Sequence, residues 1–281
     1  MIPKIIHYCW IGGAPLPPLA EECIASWKKY MPSWQIMRWD ESNFDIASAP
    51  LYVRQAYEAR KFAFVSDYVR LWALEQYGGL YMDVDFEVFR PFDDLMDKYP
   101  AFAGYEGSKR RPVMMGVLAS EPHGAWVRDM LSTYENRTFY KSPQTGNPSP
   151  VTLEYDLTPN TSYFSDRLEA QGFVADGVEK DFFLRSERII TELGDEKKQI
   201  SNLKSQILNL EEPTFFLHVF PVHYFCPVLT TGEDVRTEET YCEHMRLGSW
   251  DTRKSWKSYV MKFLSPKAKT ALINLKRKLI G

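Results

Sequence analysis

Four cysteines in 281 residues leave little room for a disulfide framework or a zinc site. Cys9, Cys23, Cys226 and Cys242 form no CxxC pair and no metal-ligand spacing. They read as reduced thiols in a cytosolic chain. No stretch approaches the roughly 20 apolar residues that span a bilayer. The opening run from Met1 is interrupted by small and polar residues before it reaches the length of a signal peptide. The sequence therefore predicts neither a cleaved leader nor a transmembrane stem. Internal repeats are absent, and a composition of 44% hydrophobic and 25% charged residues excludes disorder and collagen-like repeats.

A net charge of −3 conceals an asymmetry. From Asp251 to Gly281 nine Lys and Arg face a single acid, so that tail carries +8 and residues 1–250 carry −11. An acidic body is a poor partner for nucleic acid, whereas the basic tail suits an anionic surface. Trp256, Tyr259, Val260, Phe263 and Leu264, then Ala268, Leu272, Leu275 and Leu279, recur at spacings of three and four among lysines. That pattern predicts an amphipathic helix able to lie in a bilayer interface or to pack on the body.

Along the body, Ile5 to Ile11 is a short apolar run stopped by Gly12-Gly13, and Gln35 to Trp39 is another. Both predict strands, with a helix from Leu19 to Tyr30 between them, the start of an α/β fold. A longer helix is expected from about Tyr57 to Tyr77, ended by Gly78-Gly79. From Leu80 to Phe89 apolar residues alternate with Tyr81, Asp83, Asp85 and Glu87, which predicts one extended strand with both aspartates on the same side. Ala101–Tyr105 and Met114–Ala119 read as strands, Gly124–Tyr134 as a helix, and residues 187–212 as an amphipathic helical insertion.

Asp83-Val84-Asp85 is the chemical focus. Two closely spaced carboxylates can hold Mg²⁺ or Mn²⁺ that also binds substrate phosphates, because such ions keep few protein ligands. Asp67 and Arg70 share a helix face beside apolar neighbours, a half-buried pair that serves either as a structural ion pair or as an arginine placed for a sugar hydroxyl or a phosphate.

Ser66-Asp67-Tyr68-Val69-Arg70 followed by Tyr77-Gly78-Gly79-Leu80-Tyr81-Met82-Asp83-Val84-Asp85 resembles the signature of glycosyltransferase family 32. This DXD group includes mannosyltransferases and capsule enzymes and is related to the core of glucosylating clostridial toxins. Ile2 to Gly12 and Trp34 to Asp40 are similar to the family as well. The resemblance implies a GT-A-type, Rossmann-like domain with a mixed, mainly parallel sheet over residues 1–250, followed by the tail at 251–281. It implies a metal-dependent, retaining hexosyltransferase using Mn²⁺ or Mg²⁺ and a UDP-sugar, UDP-galactose first, with GDP-mannose as the alternative. The acceptor would be a lipid-linked oligosaccharide at the inner face of the cell membrane. Trp10 would stack on the base and Tyr81 would lie near the nucleotide. Asp67 and Arg70 would hold the sugar, Asp83 would reach ribose or sugar, and Asp85 would ligate the metal. Ser249 and Trp250 would close over the diphosphate, and His244 would serve the metal. A sugar-nucleotide-binding protein without catalysis and a metal-dependent phosphohydrolase are the competing classes.

Overall fold

The computed structural model describes residues 1–106, 113–141, 154–184 and 214–247. By compactness the chain divides into Met1–Met245 and Arg246–Gly281. The 187–212 segment, Ser249, Trp250 and the 251–281 tail lie outside the described residues.

The first unit is an α/β fold. β1 (Ile5–Cys9), α1 (Pro18–Tyr30), β2 (Gln35–Trp39), α2 (Leu51–Glu58), α3 (Phe62–Tyr77), β3 (Gly79–Met82) and β4 (Phe86–Val88) lead to α4 (Asp93–Lys98) and β5 (Ala101–Gly104). Then come β6 (Val117–Ser120), α5 (Ala125–Ser132), α6 (Asn160–Ala170), β7 (Lys180–Leu184), β8 (Thr214–Phe220), α7 (Val222–Phe225) and β9 (Cys242–His244). Seven strands form one sheet in the order β2-β1-β3-β6-β5-β8-β7, and β4 pairs with β9 in a separate ribbon. β1 runs parallel to β2 and β3, and β5 parallel to β8, while β6 and β7 run against their neighbours. Five of the seven strands thus share a direction, the mixed, mainly parallel sheet that the sequence predicts.

Side-chain alternation sorts the core into two layers. Leu80 and Met82 point to the α1 side with Ile6, Tyr8, Ala20, Ile24 and Trp27, whereas Tyr81 faces the layer of Val65, Val69 and Leu118. α1 begins with Pro18 in its first turn, where a missing N–H costs nothing, and buries Ala20, Cys23, Ile24 and Trp27 at helical spacing. All four cysteines are buried thiols outside any disulfide. No helix among the described residues is long and apolar enough to cross a membrane.

Two sequence expectations are corrected. The helix expected from Tyr57 is two helices, because the chain breaks after Glu58 and Arg60 adopts φ 57°. The strand expected from Leu80 to Phe89 is interrupted as well. It leaves the main sheet after Met82, turns through Val84-Asp85, and resumes as β4 in the ribbon. The Phe86 N–H donates to the Asp83 carbonyl (3.2 Å), which closes that turn. Periodicity survives the interruption because both halves are extended, so it could not reveal the break.

His7 locks the junction of α3 and β3. Its Nε2–H donates to the Gly78 carbonyl (2.7 Å) and its Nδ1 accepts from the Trp39 indole (3.1 Å), so the neutral ring satisfies both neighbours. Gly79 must be glycine here: its φ is +111°, and a Cβ would lie 2.6 Å from the Ile5 carbonyl. Burial lowers His7 to about 4, against about 6.5 in an unfolded chain. Between those values the unfolded chain binds the proton and the folded one does not, so the stabilising contribution is complete above pH 6.5 and fades towards pH 4. Urea unfolding at pH 7 and pH 4.5 should show the native chain losing about 2–3 kcal/mol more than His7→Gln. Equal losses would remove His7 from the account.

Candidate functional site

The carboxyl ends of β1, β3 and β5 and the start of the antiparallel β6 lie on one edge of the sheet. Such an edge is where α/β sheets present ligand-binding groups, because the loops leaving it splay apart. Trp10 leaves β1 here, with its N–H on the Trp39 carbonyl (2.9 Å) and its indole N–H on the Ala14 carbonyl (2.6 Å). Asp83 leaves β3 at the same edge.

Arg70 organises the centre. Its guanidinium is 6% exposed at residue level, and its Nη2 meets Asp67 Oδ1 at 2.8 Å and Asp83 Oδ1 at 3.5 Å. Nε donates to the Ser66 carbonyl at 3.3 Å, Nη1 donates to the Met115 carbonyl, and the plane lies over the Tyr81 ring at 4.7 Å. Against the cost of burial, Asp83, Tyr81 and Asp67 hold this arginine charged. Nε and Nη1 are engaged by backbone carbonyls and Nη2 lies against Asp67 and Asp83, so within the chain Arg70 acts as a bracket for two carboxylates. The Tyr81 hydroxyl donates to Asp83 Oδ1 (2.7 Å), and the Asp83 N–H donates to the Gly116 carbonyl (2.8 Å). A Cβ on Gly116 would lie 2.7 Å from Phe86 and 3.0 Å from Asp83 Oδ2, so glycine lets this strand approach.

Asp67 has a second environment behind it. Burial raises its carboxyl to about 6, although Arg70 opposes the shift and Arg137 adds a weaker pull in the same direction as Arg70. Arg137 was not among the residues that the sequence singled out. It packs against the faces of Tyr52, Tyr134 and Tyr163 at 4.3, 4.8 and 3.7 Å, and its Nε and Nη1 are buried without hydrogen bonds. Only proximity after folding marks it, since it lies 70 residues along the chain from Asp67.

Asp85 faces the other way. His244, carried back by β9, places Nε2 3.3 Å from Asp85 Oδ2 and stacks on Phe86 with centroids 4.6 Å apart and planes 6° apart. The Met245 N–H donates to the Asp85 carbonyl (2.7 Å). His244 Nδ1 is buried without a hydrogen bond, with Glu106 Oε1 at 3.7 Å. Burial disfavours the imidazolium, yet the adjacent Asp85 carboxylate outweighs it and holds His244 well above the ordinary histidine range. Glu106, at the exit of β5, is a further residue that the sequence reading missed. Asp83 and Asp85 thus have separate partners, and the structure joins Asp67, Arg70, Tyr81 and Asp83 in one network and Asp85 and His244 in another. Among the described residues no three His, Cys, Asp or Glu form a complete metal cage. The Asp85 carboxylate suits a hard cation such as Mn²⁺ or Mg²⁺, with the remaining positions left to water and phosphate oxygen, and His244 could join it only after giving up the proton that Asp85 favours.

Residues 17–102 match the family model of the glycosyltransferase sugar-binding region containing a DXD motif. That stretch holds Asp67, Arg70, Tyr81, Asp83 and Asp85 and leaves Trp10, Glu106, Arg137 and His244 outside. Glucan organizing enzyme 1 of Cryptococcus neoformans var. grubii serotype A is 34% identical over 84 residues, 27% of this chain. The chain spans only 23% of that relative's length. Among solved structures, the PaToxG glycosyltransferase covers 76% of this chain and 80% of its own at 17% identity and a TM-score of 0.42. The galactosyltransferase LgtC, solved with donor and acceptor sugar analogues, covers 46% and 63% at 18% identity and a TM-score of 0.29. A glycosyltransferase involved in glycosylation of the major capsid of PBCV-1 covers 49% and 70% at 14% identity and a TM-score of 0.30.

Removing Arg70 would take the nearest cation from Asp67 and from the partly exposed Asp83 at once. Arg70→Ala should lower unfolding free energy by about 3–5 kcal/mol, read from urea midpoints. Asp67→Asn should cost far less, because burial already pushes that carboxyl towards its neutral form. Similar small losses in both variants would contradict the bracket.

Proposed function

We propose that this chain is a metal-dependent, retaining hexosyltransferase of the GT-A type, drawing on a nucleotide diphosphate sugar. The observation that carries the reading is the Arg70 bracket at the carboxyl edge of the sheet, which lies within the DXD sugar-binding match. UDP-galactose is the first donor and GDP-mannose the second. The acceptor is a lipid-linked oligosaccharide of bacterial surface polysaccharide synthesis.

In this reading Trp10 offers its ring to the base at the exit of β1, where its indole N–H is already committed to Ala14 and only the face is free for stacking. Asp83 accepts from a ribose or sugar hydroxyl while Tyr81 and Arg70 fix its orientation. Asp67 completes the sugar contact. Asp85 would hold the cation, and His244 would join it once neutral. When bound, the cation offsets the negative charge that grows on the departing diphosphate. Transfer with retention can proceed by attack on the same face from which the diphosphate leaves, and no protein nucleophile is required for it. Ser249 and Trp250 close over the diphosphate, and the basic tail brings the enzyme to the anionic inner leaflet.

A nucleotide-sugar panel with Mn²⁺, followed by thermal unfolding, tests the donor. A ligand at 100 times its dissociation constant adds about 2.7 kcal/mol. UDP-sugars should raise the melting temperature of the native chain, and Asp85→Ala should abolish that rise, read against the variant's own melting temperature in buffer, which loss of the His244 pair lowers. Retained Mn²⁺-dependent nucleotide binding in the variant would sink the metal assignment.

Deleting residues 265–281 tests the tail. Each Lys or Arg near an anionic leaflet contributes about 1 kcal/mol, so the shortened chain should sediment less with anionic vesicles and keep its transfer to a soluble acceptor. Equal sedimentation of the two chains would end the membrane proposal.

A further inference from the structure

A concavity lies at the end of the β4–β9 ribbon away from His244. It is a crevice of about 250 Å³ between α4, α7 and the approach to β9. Four rings line it: Tyr99, Phe220, Tyr224 and Tyr241. Phe220 and Tyr224 stack with centroids 4.6 Å apart, Tyr224 and Tyr241 are 5.9 Å apart and 16° from parallel, and Tyr99 stacks on His218 at 3.9 Å. The rings are thus held by one another before any ligand arrives, which lowers the entropic cost of binding.

Charge decides the class of ligand. The rim carries Asp94, Glu179 and Glu239 against Arg90 and Lys98. Asp94 accepts from the Tyr241 hydroxyl (2.5 Å) and from Arg90 (3.3 Å), and Glu239 accepts from the Tyr224 hydroxyl (3.2 Å). Each carboxylate retains lone pairs for further donors. An excess of acid disfavours phosphate and nucleotide, and so polar a rim disfavours an acyl chain. The rings cover one another's faces, and Arg90 and Lys98 lie over Tyr241 and Tyr99, so the crevice offers hydroxyls, carboxylate oxygens and ring edges, which suit a ligand rich in hydroxyl or amino donors. Position adds to this: Val88 pairs with Cys242 and Phe86 with His244, so three residues of extended chain, roughly 10 Å, separate Tyr241 from His244.

We infer that the crevice is a saccharide subsite, holding one residue of an uncharged or amino-bearing glycan at a distance from the DXD turn. The inference rests on the transferase reading for its role, which is to hold the acceptor chain while its end is extended, but binding itself does not depend on that reading.

Neutral trisaccharides of glucose, galactose, mannose and N-acetylglucosamine are titrated into the full chain and followed by saturation-transfer NMR, with UDP and orthophosphate as comparisons. At least one trisaccharide should bind, and its dissociation constant should rise about tenfold in Glu239→Ala and Tyr224→Ala, with Lys98→Ala weaker in effect. Glu239 is exposed, so its variant keeps the fold even if Tyr224→Ala does not. Asp85→Ala should leave saccharide binding unchanged while losing Mn²⁺-dependent nucleotide binding. Saccharide binding that survives Glu239→Ala, that is lost in Asp85→Ala, or that no trisaccharide shows would overturn the subsite. Orthophosphate binding at the crevice would overturn its ligand class. A chain that binds trisaccharide through Glu239 and no nucleotide sugar would defeat the transferase reading and leave the subsite standing.

Discussion

The buried Arg70 guanidinium is the interaction on which the carboxyl edge depends. A single cation ties helix α3, through Asp67 and the Ser66 carbonyl, to the exit of β3 at Asp83 and to the Met115 carbonyl before β6. The pairing is costly, since Arg70 and Asp67 are largely removed from water and Asp83 partly so, and it is tolerable because Nε and Nη1 donate to backbone carbonyls while Nη2 meets both carboxylates. The same arrangement orients a carboxylate towards solvent: the Asp83 side chain keeps 32% exposure while its bracket is buried. Orientation is thereby built in before a ligand binds.

Two aspartates separated by one residue end up in different environments because the strand breaks between them. Had Leu80 to Phe89 run straight, Asp83 and Asp85 would sit about 7 Å apart on one pleated face and share their surroundings. The turn instead gives Asp83 to the arginine and Asp85 to an imidazole that arrives from β9, 159 positions later in the sequence. Asp83 is thus oriented by a guanidinium and a phenol, whereas Asp85 is charge-paired with the His244 ring, so the break gives the two carboxylates of the motif different surroundings.

Much of this was legible locally. Ile5 to Cys9, Gln35 to Trp39 and the helix from Pro18 show in the spacing of apolar residues, and Gly78-Gly79 marks a helix end whose two positive φ values only glycine holds readily. Asp67, Arg70, Tyr81 and Asp83 lie within 17 residues, so a sequence pattern can contain them. What escaped depends on long-range closure. Glu106 and Arg137 have no local signature, and each acquires its neighbour only when β5 and the chain after α5 pack beside α3 and β9. The small strands β4 and β9 are three residues each, too short for any period to register.

Helix α3 and strand β3 meet at an angle that neutral His7 sets, and this bears on the site some distance away. Gly78 gives its carbonyl to His7 and Gly79 passes so near the Ile5 carbonyl that no side chain fits. The angle between the helix bearing Asp67 and Arg70 and the strand delivering Tyr81 and Asp83 is fixed at that joint. Any widening there would lengthen the Arg70 to Asp83 distance, already 3.5 Å, before it disturbed the 2.8 Å contact to Asp67 on the same helix. Charge-assisted contacts weaken steeply beyond such lengths, so the uncharged core histidine and the charged surface-facing carboxylate are coupled through the backbone that connects them. A tight joint of glycine and imidazole is therefore as much a part of the ligand edge as the acids that the ligand would touch.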